Sequence, residues 1–439
     1  MFGRRGSCYW EKGPIELRSK YRKLLYAVTL MLVVVFTNQF IPLCVLAGLF
    51  GPRGCEMSLA PVQVILFAII FLALLSELFL EKEGTAWLGL WKRAWLVGLF
   101  VALALLSNLW SVRAPMTLLR SVLLLELTLI AAYFALRMET QDLLHFIAVA
   151  YGVIAFASLL LGVFMPELAV MANHPYEGLW RGVYWHKVYL GASMALGFIA
   201  YLTILFSPKK SYSFLQKSVA GLLLVICILL AILSDSASGL IVIAIQTCVL
   251  ILLLIWLAWG HRITRRVYIL LAALFGGAVV LAILNLDVVF NLFNRSASMT
   301  GRIPLWAYLL ETYIARRPLL GYGVGTFWYQ PGVSVTIQSV VGWGYPIGVS
   351  DNGYMDILLG LGVSGLVLFL GILLLNVWRA SLHGIQRRDL VSFFPLLVMV
   401  HIMFVNISLS YFLESESYLW FLLALISFMF SKEKSGASA

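Results

Sequence analysis

The sequence predicts an all-α, polytopic integral membrane protein of about twelve transmembrane helices, with one large outer loop carrying a surface helix. Three observations predict it. Of the 439 residues, 62% are hydrophobic and only 12% are charged, about half the charged share of a soluble globular chain. The apolar residues come in runs of about 16 to 25 separated by short polar clusters, and a spanning helix needs ~20. The clusters alternate between strongly and weakly basic, as cytoplasmic and outer loops do. A soluble enzyme cannot be built from this composition, and a disordered chain cannot leave so much apolar surface in water. Continuous runs such as Leu222–Leu233 exclude an outer-membrane barrel, whose strands alternate over ~10 residues.

Spans are predicted to begin near Leu24, Pro61, Ala94, Thr117, Leu143, Lys187, Ser218, Gly239, Val267, Gly353, Val391 and Tyr418. Residues 1–23 carry Arg4, Arg5, Lys12, Arg18, Lys20, Arg22 and Lys23, and alternate loops then carry clusters such as Lys82/Lys92/Arg93, Lys209/Lys210/Lys217, Arg262/Arg265/Arg266 and Arg379/Arg387/Arg388. Basic loops stay in the cytoplasm, so both termini are expected inside. On this reading residues 24–289 hold spans one to nine, 290–352 form the large outer loop, 353–431 hold spans ten to twelve, and 432–439 are a cytoplasmic tail. The net charge of +11 is then a topology signal, and no nucleic-acid partner is expected. The first apolar run is too long for a cleaved signal peptide. None of the cysteines has metal-ligand spacing; Cys44 and Cys55 flank one loop and could approach each other.

Most loops are about 5 to 13 residues long. Two on the outer side are longer, Met165–His186 and Phe290–Asn352, and long loops in compact proteins tend to be functional. Within the larger one, Trp306–Ile314 reads as an amphipathic helix at the membrane surface, stopped before Pro318. A glycine-rich turn follows, Gly321-Tyr322-Gly323-Val324-Gly325. There is no internal repeat, which weakens a transporter built from inverted repeats.

The outer side should be poor in arginine, yet its long loops hold Arg181, Arg302, Arg316 and Arg317. Arginine is always charged and grips phosphate oxygens with a bidentate fork. Arg181 and Arg302 have glycine neighbours that let a ligand approach closely. Arg316 and Arg317 are open to a second reading, as snorkelling residues. Asp351, in Ser350-Asp351-Asn352-Gly353-Tyr354, could act as a general base or simply cap the tenth span. Asp356, one turn into that span, needs a partner. Glu126 reads either as part of a proton path or as an ion pair with Arg113 or Arg120, and Glu414 and Glu416 sit at the outer end of the eleventh span. There is no phosphate-binding Gly-Lys-Ser/Thr loop, no His-Glu-x-x-His and no Asp-x-Asp pair. Positive charge for a leaving phosphate must then come from arginine and lysine.

The stretch Thr300-Gly301-Arg302 … Trp306 … Arg317-Pro318-Leu319-Leu320-Gly321-Tyr322-Gly323-Val324-Gly325, with Asp351-Asn352-Gly353-Tyr354 … Gly360-Leu361-Gly362-Val363-Ser364-Gly365, resembles the hallmark of the O-antigen ligase/O-antigen polymerase superfamily. Arg181-Gly182 … His186-Lys187 … Gly191 and Ser234-Asp235-Ser236-Ala237-Ser238 are similar to it too, closest to the exopolysaccharide-polymerase branch. The resemblance implies a GT-C-like, inverting glycosyltransferase of the bacterial inner membrane that works on the outer face. Its donor would be a polyprenyl-diphosphate-linked glycan, with no metal and no cofactor. A flippase and a chain-length regulator would be its partners. Arg181 and Arg302 take the place of the family's two diphosphate-binding arginines. Where ligases show His-Asn, this chain has Asp351-Asn352, which favours a polymerase with Asp351 as base. Lys187, His186, Asn352, Arg316, Arg317, Trp306 and Glu414 complete the expected substrate-binding set.

Overall fold

The computed structural model describes residues 12–37, 40, 52–80, 84–172, 176–208, 210–259, 302–342, 347–410 and 417–433, and among these no β-structure forms beyond two isolated bridges. The helices are α1 (Lys12–Thr37), α2 (Pro52–Leu80), α3 (Gly84–Arg93), α4 (Trp95–Leu106), α5 (Ala114–Ala135), α6 (Thr140–Phe164), α7 (Lys187–Phe206), α8 (Phe214–Leu233) and α9 (Ala237–Trp259). They continue with α10 (Arg302–Tyr308), α11 (Val333–Val341), α12 (Gly353–Arg387), α13 (Phe394–Val405) and α14 (Tyr418–Glu433). Among the described residues seven helices are long and apolar enough to cross a membrane, or eight if α3 and α4, bent by 81°, make one span; three shorter apolar helices join them. The ninth predicted span lies outside the described residues, and so do the approach of Cys44 to Cys55 and the side chain of Glu414. The other predicted spans each coincide with a helix.

The outer faces of these helices show how the chain is solvated. Phe79, Phe164 and Phe214 are 75%, 75% and 89% exposed. Contiguous apolar surface of that kind is not tolerated in water and is ordinary against lipid tails. The centre is held by α14, whose residues from Tyr418 to Ser431 are buried throughout. Trp420 stacks on Phe100 of α4 at 4.9 Å and donates its indole N–H to Thr128 of α5 at 2.9 Å. α7 and α9 touch backbone to backbone, since a Cβ on Gly239 would come within 2.5 Å of the Gly191 carbonyl carbon. Glu126 forms no ion pair with Arg113 or Arg120, and its Oε2 accepts no hydrogen bond. Arg120 is turned to the Gly325 carbonyl, 2.9 Å away, and to the Tyr329 hydroxyl at 3.1 Å.

The large loop folds around a small core of its own. Leu305, Leu309, Ile314, Tyr322, Phe327 and Ile337 pack there with Met355 and Leu359 of α12. The helix expected over Trp306–Ile314 begins at Arg302 and ends in a wider π turn, Leu309–Ile314. Its buried side chains face this core.

The glycine-rich turn locks the loop onto α12. Inside α12, Gly362 takes φ 66° and ψ −163°, which breaks the helix. A straight helix of these 35 residues would run ~50 Å, well beyond the ~30 Å hydrocarbon core. The break exposes backbone groups, and the turn satisfies them. Tyr322 and Gly323 donate to the carbonyls of Leu359 and Gly360 at 2.8 and 2.9 Å, while Val363 and Ser364 donate to Pro318 and Leu319 at 2.7 and 3.2 Å. The four backbone groups freed along the helix are thus paired across the joint, as buried backbone requires. The two glycine-containing motifs are the two halves of this joint.

Candidate functional site

Two helix starts and the segment before α7 meet at the site. The first is that of α12. Asn352 is its N-cap: the side chain accepts the N–H groups of Tyr354 and Met355 at 3.0 and 3.2 Å. The cap role open to Asp351 in the sequence therefore belongs to its neighbour. Asp351 stands just before the cap with φ 54°, a left-handed conformation that aspartate and asparagine tolerate better than other side chains. The second start is that of α10. Arg302 at its first position reaches Oδ2 of Asp351 with Nη2 at 3.0 Å and Nε at 3.1 Å. The two side chains are 18% and 27% exposed, so a ligand can reach the pair. Trp306, one turn further on, donates its indole N–H to the Ser350 carbonyl at 2.8 Å.

The segment before α7 supplies the rest. Arg181 is anchored through Nε to the Leu168 carbonyl at 3.0 Å. Burial lowers its pKa from the usual guanidinium range, and arginine keeps its proton regardless. Gly182 follows with φ 58°, and a Cβ there would sit 2.5 Å from the Ser158 hydroxyl, so glycine is required. His186 is the N-cap of α7; its Nδ1 accepts the Val188 N–H at 3.4 Å. Its ring meets Tyr176 edge-on at 4.9 Å. Burial pushes its pKa down to about 4; Asp351 opposes this, while Lys187, Arg302 and Arg181 add to it. All four charges thus act on one neutral imidazole. Lys187 is buried, donates to the Asp235 carbonyl at 2.8 Å and pairs with its carboxylate at 3.4 Å. That ties the start of α7 to the turn between α8 and α9.

The structure thus brings Arg181, His186, Lys187, Arg302, Asp351 and Asn352 together and sets Trp306 behind them. Arg316 and Arg317 are exposed and stand at the joint instead. Arg317 donates to the Trp110 carbonyl at 3.3 Å and lies over the Tyr322 ring at 4.9 Å. Asp356 has the partners its position demands: the Trp328 indole N–H at 3.4 Å, with Ser350 and Ser410 also facing its carboxyl. Sequence reasoning missed Trp328 and Ser410, and it missed Arg120 as the anchor of the glycine turn. An arginine six residues into a span was the one signal available for the last.

Among the described residues no three His, Cys, Asp or Glu side chains gather in a way that could hold a metal ion. Among the described residues the arrangement is a basic cluster in which Asp351 pairs with Arg302 and Asp235 with Lys187, suited to an anionic ligand from which a proton must be taken nearby. No curated protein matches the chain. Residues 222–370 match the family model described as O-antigen ligase, a stretch that includes Arg302, Trp306, the joint, Asp351 and Asn352. Over that stretch, 149 of the 439 residues, the chain is similar to the O-antigen ligase family.

Proposed function

We propose that this protein polymerises polyprenyl-diphosphate-linked oligosaccharide repeat units by inverting glycosyl transfer on the outer face of the bacterial inner membrane. On this reading both termini are cytoplasmic and no metal takes part. The contact that carries the proposal is the Arg302–Asp351 pair. Arg302 donates its Nε–H to one oxygen of Asp351, with Nη2 3.0 Å from the same oxygen, and keeps other N–H groups for a phosphate. The acceptor hydroxyl gives its proton to Asp351 while its oxygen bonds to the anomeric carbon of the donor. The bond from that carbon to the diphosphate breaks, and the prenyl diphosphate leaves with the electron pair. As Asp351 takes the proton its charge disappears, and Arg302 is released to the diphosphate just as negative charge grows there. Arg181 supplies the second fork, and neutral His186 adds no competing positive charge. The folded loop above the pocket would exclude water, which otherwise hydrolyses the donor.

Transfer of the glycan to a lipid A core is the second reading, and the description of the matching family model favours it. Aspartate in place of the ligase histidine at 351 favours polymerisation, with an exopolysaccharide or O-antigen repeat as substrate and with flippase and chain-length regulator as partners. Purified enzyme given a polyprenyl-diphosphate repeat unit should form polymer, with no effect of chelator. Arg302→Lys and Arg181→Lys keep the charge and lose the fork, so each should reduce the rate by about 100-fold or more. Polymer yield untouched by both variants would remove the diphosphate from this pocket. A cysteine at exposed Ser339 should react with an impermeant thiol reagent in intact cells, and one at exposed Ser211 should not.

A further inference from the structure

We propose that the open apolar groove between α4 and the second half of α12 seats a second polyprenyl chain, that of the acceptor glycan, with Arg316 and Arg317 holding its diphosphate at the outer end. This rests on the polymerase reading above, because polymerisation engages two lipid-linked glycans at once.

The groove encloses about 490 Å³ and is lined by Leu99, Leu103 and Leu106 of α4 together with Leu319, Val363 and Val367. It presents almost no polar surface, and Leu106, Leu319 and Val367 are more than half exposed along it. Its wall includes the broken stretch of α12, yet the N–H groups of Val363 and Ser364 are taken by Pro318 and Leu319. A hydrocarbon chain therefore meets no unsatisfied backbone there. The outer end is built differently. Trp110, just beyond α4, donates its indole N–H to the Leu320 carbonyl at 2.9 Å and accepts Arg317 Nη1 at 3.3 Å. This ties Arg317, two residues before the wall residue Leu319, to Trp110, four residues after the wall residue Leu106. Arg316 stands close by, for both guanidinium charges act on the Tyr322 phenol.

Neither Arg316 nor Arg317 pairs with a carboxylate among the described residues. Exposed forks beside a lipid-facing groove complement a phosphate-bearing headgroup. Among the described residues these arginines form no ion pair, which distinguishes this place from the Arg302–Asp351 pair. A donor diphosphate has to lie beside the base and be cleaved. An acceptor diphosphate has to be held and left intact, which is what arginines without a base provide.

The test uses the full chain in phosphatidylcholine nanodiscs and a benzophenone-tagged geranylgeranyl diphosphate. Photolabel should fall on peptides from α4 and from residues 363–368. Unlabelled geranylgeranyl diphosphate should displace it, and geranylgeraniol or phosphatidylglycerol at the same concentration should not. Arg316→Gln with Arg317→Gln, both on the surface, should weaken binding about tenfold or more with an unchanged thermal transition. Label elsewhere, equal displacement by phosphatidylglycerol, or wild-type labelling in the double variant would each overturn the assignment, the second by showing an ordinary lipid site. Groove labelling without polymer formation would leave the groove standing and remove the polymerase reading. Polymer formation without groove labelling would do the reverse.

Discussion

Trp306 holds the carbonyl of Ser350, the residue before Asp351, while Arg302 one turn earlier holds Asp351 itself. One face of one helix therefore grips two consecutive residues at the approach to α12, as residues four apart can. The indole sets the register in which arginine and aspartate meet. Trp306→Phe keeps the ring and removes the donor. We expect kcat to fall about 10- to 100-fold through misplacement, KM to hold, and stability to drop by ~1 kcal/mol. A rise in KM with kcat intact would make Trp306 a direct substrate contact instead.

Asp351→Asn isolates proton uptake. Asparagine accepts the left-handed backbone about as well, and Asn352 already caps the helix, so thermal stability should fall only by the loss of the Arg302 ion pair, about 1 kcal/mol or less. Turnover should fall ~10²- to 10⁴-fold, the usual worth of a general base. Asp351→Ala would add ~1 kcal/mol of backbone strain and mix the two effects. Asp351→His should keep partial activity with its pH profile moved upward, since free imidazole titrates near ~6.5. Full activity in the asparagine variant would send the search for a base to His186, Asp356 or Glu414.

Gly362→Ala should break the joint. Its Cβ would meet the Leu319 carbonyl carbon at 2.3 Å, at a φ of 66°. Gly332 has a similar φ of 79° but open space around its Cβ position. Gly332→Ala should therefore cost only ~1 kcal/mol, while Gly362→Ala should leave little folded protein. Equal yields and melting temperatures for the two would show that the interlocked turn is not needed for folding.

His186 gives stability a pH dependence of known sign. Its folded pKa of about 4 lies below the ~6.5 of a free imidazole. As pH falls through that window the unfolded chain binds the proton first, so stability declines from about pH 6.5 to about 4 and is unaffected by this group above it. Melting curves of wild type and His186→Gln should converge above pH 7, with the wild type losing more as pH falls. A wild-type profile parallel to that of the glutamine variant would mean that the ring is solvated.

What the sequence alone determined is the set of helices. Inside a bilayer each backbone group must find its partner within its own helix, so an apolar run of the right length settles the structure locally, and the runs from Pro61 to Leu80 or Phe214 to Leu233 needed nothing else. The residue types at the site were legible for a similar reason: arginines and an aspartate stand out in loops that should be nearly free of charge. Which of them meet was decided only by the tertiary structure. Arg302 and Asp351 are 49 residues apart, Lys187 and Asp235 are 48 apart, and Arg120 and Gly325 are 205 apart. No periodicity records a contact over such a separation. The same holds for the cap, where Asp351 and Asn352 are equally good candidates by residue type and the backbone turn at Asp351 selects Asn352. It holds for the glycines of the joint as well: a helix broken at Gly362 is stable only because another segment, forty residues away along the chain, supplies the bonds that the break gives up.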